Sequence, residues 1–145
     1  MIGQLIAAMI GTVAFAVLFG VERKYYLFCG LIGAFGWGIY LAAHLKYSSP
    51  VSAFFAAMAV IFLSRLVAVL EKCPTTIFLI AGLIPLVPGA GIYWTTYFFV
   101  TGRINAAEDN GFLALKTAVA IVLGIVFIFE IPQSFFNKLG HLIKK

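Results

Sequence analysis

The feature that most constrains this chain is an apolar stretch, residues 77–100, whose centre is the worst helix-forming run in the sequence. The stretch is long enough to cross a bilayer, which takes about 20 residues. Pro85 and Pro88 lack backbone N–H groups, and Gly89 and Gly91 open conformations closed to other residues. The sequence therefore predicts a membrane span that is broken near the bilayer midplane.

A broken helix in hydrocarbon is tolerated only against protein or a water-filled cavity, because each unsatisfied backbone group costs several kcal/mol. Broken helices at midplane depth recur where transporters bind substrate, since the second half-helix offers its positive N-terminal end. The alternative interpretation is a proline kink that serves packing alone. The local sequence leaves both interpretations open.

Composition places nearly the whole chain in or near a membrane. Residues are 63% hydrophobic and 10% charged, and the mean hydropathy is +1.10. Long apolar runs at this density indicate an all-α, polytopic membrane protein and leave no stretch for a water-soluble catalytic domain. The net charge of +5 is therefore interpreted as membrane topology, and no nucleic-acid partner is predicted.

The apolar runs predict five transmembrane helices, with a polar stretch at 101–112 before the last of them. We expect a single membrane domain over residues 1–132. The tail, 133–145, places apolar and basic residues on opposite faces of a helix, which predicts an amphipathic helix on the membrane surface. The predicted spans are 3–20, 26–44, 51–70, 77–100 (the broken one) and 113–132.

Orientation follows from the distribution of Lys and Arg, which are enriched in cytoplasmic loops. Six of these residues fall on one side of the predicted spans, with Arg65 leaning towards it, and three fall on the other. The sequence therefore predicts an outside N-terminus and a cytoplasmic C-terminus. The first set is Arg23, Lys24, Lys72, Lys138, Lys144 and Lys145, and the second is Lys46, Arg103 and Lys116.

Three polar residues within or beside the spans are candidates for function. Arg65 is costly to insert and either snorkels to the cytoplasmic interface or binds a substrate carboxylate or an acidic side chain. Glu130 is an ion-pair partner for Arg65, a proton carrier or an interfacial acid. The hydroxyl of Thr95 either binds substrate or bonds back to its own helix, which is the commoner use.

No enzyme motif is present in the sequence. It has no HExxH, no GxSxG and no Walker loop, so neither a metal nor another cofactor is predicted. An enzyme acting on lipid would need a pair such as Glu130 and His141, which Pro132 separates, and it ranks last. Few polar groups are available for a complete transport path, so we expect a protein partner.

Three motifs resemble the threonine/serine exporter family, and in particular the small (YjjB-like) subunit of its split, two-component form. They are Ser64-Arg65, Cys73-Pro74-Thr75 and the run from Ile84 to Gly89. The resemblance covers nearly the whole chain. It implies a bacterial inner-membrane protein that works with a larger membrane subunit.

The implied activity is export of threonine and serine, or of dicarboxylates such as succinate, driven by the proton gradient. The alternative is a non-transporting scaffold or assembly subunit. Whether the chain also forms homo-oligomers is left open. The predicted translocation path comprises Arg65, Pro85, Pro88, Gly89, Gly91 and Thr95, with Glu130 as ion-pair partner or proton carrier.

Overall fold

The computed structural model describes residues 2–143, which form seven α-helices and no β-strand. Two short 3-10 turns, Arg23–Tyr25 and Ile84–Leu86, precede α2 and follow α4. The fold is therefore all-α, as predicted. The helices are α1 (Ile2–Leu18), α2 (Tyr26–His44), α3 (Ser49–Glu71), α4 (Thr76–Leu83), α5 (Gly89–Val100), α6 (Ile104–Phe129) and α7 (Gln133–Ile143).

Three helical segments are individually long and apolar enough to cross a membrane: Arg23–His44, Ser49–Glu71 and Ile104–Phe129. The segments Thr76–Leu86 and Gly89–Val100 meet this criterion only as a pair, and they are bent by 48° at the break between them. Helix α1 is apolar but shorter, at 17 residues. Helices of this length and composition are those of a membrane protein.

Helix α3 lies at the centre of the bundle and contacts α2, α4, α6 and α7. Small residues allow these close approaches, because Ala53, Ala56 and Ala57 on α3 are fully buried. The opposing helices also present glycines: a Cβ on Gly124 of α6 would lie 2.7 Å from the carbonyl oxygen of Phe54. Such small-residue contacts are typical of helix packing in lipid, where backbone proximity replaces the hydrophobic drive.

Helices α5 and α6 form a hairpin that departs from the predicted boundaries. The polar stretch expected at 101–112 is largely helical, because α6 begins at Ile104 and only 101–103 connect the two helices. Helix α5 packs along this first half of α6, where a Cβ on Gly111 would lie 3.2 Å from the methyl group of Thr95. No residue of α5 is buried, so the rest of its surface is exposed or half-exposed in the isolated chain.

The tail forms the predicted helix, α7, over its described part, while Lys144 and Lys145 lie outside the described residues. Phe136 is fully buried against α3, and a Cβ on Gly140 would lie 2.8 Å from a methyl group of Val69. Leu142 remains 71% exposed. One edge of α7 is therefore docked on the bundle, and its other apolar residues remain available to a membrane surface.

Candidate functional site

The interruption between α4 and α5 is a short 3-10 turn that satisfies the carbonyl groups the prolines would leave free. The carbonyl of Ala81, four residues before Pro85, accepts a hydrogen bond from the N–H of Ile84. The carbonyl of Ile84, four residues before Pro88, accepts one from the N–H of Val87 at 3.2 Å. Bonds of this tighter type are the usual way for a helix end to use its last carbonyls.

The start of α5 leaves donors unpaired instead. The N–H of Gly89 donates to the carbonyl of Val87 at 2.7 Å, and the first helical bond runs from Ile92 to Pro88 at 3.1 Å. The N–H groups of Ala90 and Gly91 come before that bond and have no helical acceptor. Together with the helix dipole, they give this end of α5 a partial positive charge.

A cavity of about 220 Å³ lies at the break. Its remaining walls come from the C-terminal half of α2, the first residue of α3 and the middle of α6, and none of its lining side chains is charged. The start of α3 at Ser49 and the start of α5 at Gly89 therefore meet at one uncharged cavity, an arrangement that suits an anionic group. The residues outside the break are Trp37, Tyr40, Ser49, Leu113, Ala114 and Thr117.

The break lies near one end of α2 and α3. It shares the cavity with Tyr40, four residues before the end of α2, and with Ser49, which begins α3. Midplane depth, which the sequence suggested, stays a prediction. A second cavity of about 240 Å³ is lined by residues of α1 and shares Trp37 and Pro85 with the first, so these two residues border both cavities.

Four of the predicted path residues line the cavity at the break: Pro85, Pro88, Gly89 and Gly91. The two glycines have different surroundings. A Cβ on Gly89 would meet nothing within 4 Å, whereas one on Gly91 would lie 3.1 Å from the Cβ of Ala114. Gly89 therefore borders open space, and Gly91 also allows α5 to approach α6.

Thr95 does not line this cavity. Its hydroxyl donates to the carbonyl of Gly91, one helical turn earlier, at 2.7 Å. The neighbouring Thr96 bonds in the same way to Ile92 at 3.1 Å. Of the two uses weighed for Thr95, the structure shows the bond to its own helix.

Arg65 lies at the opposite end of α3 from the cavity. It follows Ser49 by 16 residues along the helix, which corresponds to about 24 Å at a rise of 1.5 Å per residue. Arg65 is therefore too far from the break to bind a substrate that lies in the cavity there.

The guanidinium of Arg65 binds the C-terminal end of α6. Its Nη1 donates to the carbonyls of Ile128 at 2.7 Å and Ile131 at 2.8 Å, and its Nη2 donates to Oε1 of Gln133 at 2.8 Å. The same group lies 4.2 Å from the ring centroid of Phe136. A cation at this position supplies donors to the last carbonyls of the helix and stabilises the negative end of the helix dipole.

These contacts correct two predictions for Arg65. Its side chain does not snorkel to water, because the residue is only 5% exposed. It does not pair with Glu130 either: Glu130 is exposed, and within residues 2–143 the ion pair is that of Lys24 with Glu22, at 2.8 Å. The carbonyls of Ile128 and Ile131, at the end of α6 and beside Pro132, are the partners that Arg65 takes instead.

Sequence reasoning missed the polar pair that α2 and α3 contribute to the wall of the cavity. The hydroxyl of Tyr40 and the Oγ of Ser49 are 2.8 Å apart, and they join the end of α2 to the start of α3. Trp37 stacks on Tyr40 with ring centroids 4.9 Å apart. A usable signal was the spacing of Trp37, Tyr40 and His44 on one helix face, next to a short turn.

Comparison with known proteins gives a consistent result. A family model described as "Threonine/Serine exporter, ThrE" matches residues 4–131. A protein of Corynebacterium glutamicum described as "Threonine/serine exporter" is 33% identical over 124 residues, which cover 85% of this chain and 25% of the relative. The chain thus spans about a quarter of that relative's length. No solved structure matches the chain.

Proposed function

Because this chain belongs to the threonine/serine exporter family, we propose that it is one membrane subunit of a two-component exporter of small polar metabolites. A second, larger membrane subunit supplies the remainder of the machinery. The family is one of transporters, which argues against an enzymatic role.

In the proposed topology the chain crosses a bacterial inner membrane five times. Helices α1, α2, α3 and α6 each form one span, and α4 with α5 forms the broken one. The N-terminus lies outside, and α7 lies on the cytoplasmic surface among lipid headgroups. The excess of Lys and Arg on one side of the spans supports this orientation.

The observation that carries the proposed mechanism is the uncharged cavity at which the starts of α3 and α5 meet. A substrate carboxylate would accept hydrogen bonds from the N–H groups of Ala90 and Gly91, in a place where no acidic side chain competes. Movement of α5 about the break, beside Trp37 and Pro85, would alternate access to the site.

The proposed substrates are threonine and serine, with dicarboxylates such as succinate as the second class. All of them carry the carboxylate that the start of α5 would bind. Pockets that bind drug-sized ligands have volumes of about 300–1,000 Å³. The cavity, at about 220 Å³, is smaller than these and suits smaller metabolites such as amino acids. The proton gradient is the proposed energy source, since the sequence contains no nucleotide-binding motif.

Efflux of labelled threonine, serine and succinate from preloaded cells tests the proposal. This chain, its candidate larger partner and the two together would be compared at verified membrane levels. We expect efflux only when both are present. Absence of efflux in every arrangement would contradict the exporter role.

The rival function is a scaffold or assembly subunit that carries no substrate. It predicts that substitutions of Pro88 or Gly89 change abundance or association with the partner but leave flux per assembled complex unchanged. The exporter function predicts that these substitutions lower flux per assembled complex, because both residues line the cavity. Flux normalised to co-purified complex separates the two.

A further inference from the structure

The cavity at the break carries a second polar feature besides the start of α5. On its far wall, the hydroxyls of Tyr40 and Ser49 are joined by a hydrogen bond of 2.8 Å in which either oxygen could be the donor. Both side chains are half-buried and both line the cavity. When one hydroxyl donates to the other, the pair retains one free O–H and several lone pairs.

The position of Tyr40 is fixed from both sides. Its ring stacks on Trp37 at 4.9 Å between centroids and on His44 at 5.4 Å, with interplanar angles of 18° and 10°. Ser49 is the first residue of α3. The pair is therefore held by rigid elements, which is the condition for recognising a small polar group with precision.

The third hydroxyl on the cavity wall has another use. Thr117 donates to the carbonyl of Leu113 at 2.8 Å, within its own helix, and is 5% exposed. The aliphatic and proline side chains that complete the wall offer no hydrogen bond. Trp37 contributes an indole N–H, which can only donate. The Tyr40–Ser49 pair therefore supplies the side-chain groups that can both donate and accept, and it lines the same cavity as Ala90 and Gly91.

We propose that the Tyr40–Ser49 pair binds the side-chain hydroxyl of the exported amino acid and makes the site selective for hydroxylated substrates. This inference rests on the proposed function, whose carboxylate site at α5 it completes. A substrate held by its carboxylate at one wall would place its hydroxyl against the pair at the other. A site built around such a bond rejects the analogue without a hydroxyl, because its own polar groups would stay unpaired.

Threonine and valine provide the matched ligands, since they differ only by a hydroxyl in place of a methyl group. Trp37 provides the signal, because it lines the cavity and stacks on Tyr40. The second tryptophan, Trp94, lies on α5 and is 45% exposed. The purified full-length Trp94→Phe protein would be titrated with threonine and with valine, and Trp37→Phe would show whether Trp94 contributes to the signal.

We expect threonine to change Trp37 fluorescence at about tenfold lower concentration than valine, which is the effect of about one hydrogen bond. Tyr40→Phe and Ser49→Ala should abolish this preference. Tyr47→Phe and Ser48→Ala are the matched controls, because both residues are exposed and outside the cavity, and they should retain it.

An equal preference in the wild type and the two pair variants would overturn the inference, as would a wild type that does not respond to threonine. The same variants would be assayed for efflux with the partner subunit. Efflux without hydroxyl-dependent binding would leave the exporter standing and remove the role of the pair. Hydroxyl-dependent binding without efflux would support the pair and contradict the exporter.

Discussion

The chain contains two proline interruptions that the fold treats in opposite ways. Beside Pro132, at the end of α6, the buried guanidinium of Arg65 donates to the carbonyls of Ile128 and Ile131, and the carbonyl of Ile128 also accepts a hydrogen bond from the N–H of Ile131. At the break before α5, the carbonyls of Ala81 and Ile84 accept hydrogen bonds from nearby backbone N–H groups, but the N–H groups at the start of α5 face a cavity that no side chain fills. The first break is closed by the protein itself, and the second is left open.

The difference bears on function because a broken helix in a membrane must have its polar groups satisfied. Where a side chain from a neighbouring helix does this, the break is part of the packing. Where a cavity remains, water or a ligand has to take that role. The two breaks therefore separate a structural elbow at the end of α6 from a candidate binding site at the start of α5.

Substitution of Arg65 should have the largest effect on stability. Arg65→Ala removes the hydrogen bonds that the guanidinium donates to Ile128, Ile131 and Gln133, and because hydrogen bonds to charged groups are the strong ones we expect the free energy of unfolding to fall by about 3–5 kcal/mol. Denaturant unfolding in detergent measures it. Arg65→Lys keeps the charge, but its ammonium group cannot reproduce the planar arrangement of donors in a guanidinium. Its decrease in the free energy of unfolding should therefore be smaller than that of Arg65→Ala. Unchanged stability with lost flux would place Arg65 in the transport path instead.

Gly89→Val should remove flux while leaving the fold intact. The new side chain would enter open space at the cavity, where nothing lies within 4 Å, so it should leave the packing undisturbed and take up room that the substrate needs. Gly3→Val is the matched control, since its surroundings are equally open and it lies outside the cavity. Unchanged flux for Gly89→Val, at equal membrane levels, would show that substrate does not pass the break.

Thr95→Val tests the edge of the open break. The substitution removes the hydroxyl bond to Gly91 while preserving the shape of the side chain, so unfolding should become easier by about 1 kcal/mol or less. Flux per protein should not change. A steep loss of flux at normal stability would mean that the hydroxyl leaves its own helix to bind substrate.

Glu130→Gln should have the smallest effect. Its carboxylate is exposed and makes no ion pair within residues 2–143, and surface substitutions usually change stability by about 0.5 kcal/mol or less. Flux should be measured from acidic to neutral external pH. A profile that flattens in the variant would identify Glu130 as the proton carrier that the sequence suggested; an unchanged profile is what the structure leads us to expect.

The sequence by itself determined the helical membrane class, the approximate bounds of the apolar helices and the family. Apolar periods, proline positions and short motifs are local properties, and they are visible without knowing what packs against what. The same reasoning identified Pro85, Pro88 and Gly89 as a break in the helix, but it left open whether the break borders a cavity or serves packing alone. It placed the start of the last span at residue 113, whereas α6 begins at Ile104. The polar residues of 104–112 are helical because this part of α6 packs along α5.

Only the tertiary structure decided the partners of the polar groups. Their expected depth in the membrane made Arg65 and Glu130 possible partners. The guanidinium of Arg65 instead binds the carbonyls of Ile128 and Ile131, because the end of α6, beside Pro132, packs against α3 at this point. Tyr40 and Ser49 belong to different helices, and their hydroxyls meet only once α2 and α3 pack side by side. A buried polar group takes the nearest acceptor in space, and that acceptor is set by helix packing, which no single segment of sequence encodes.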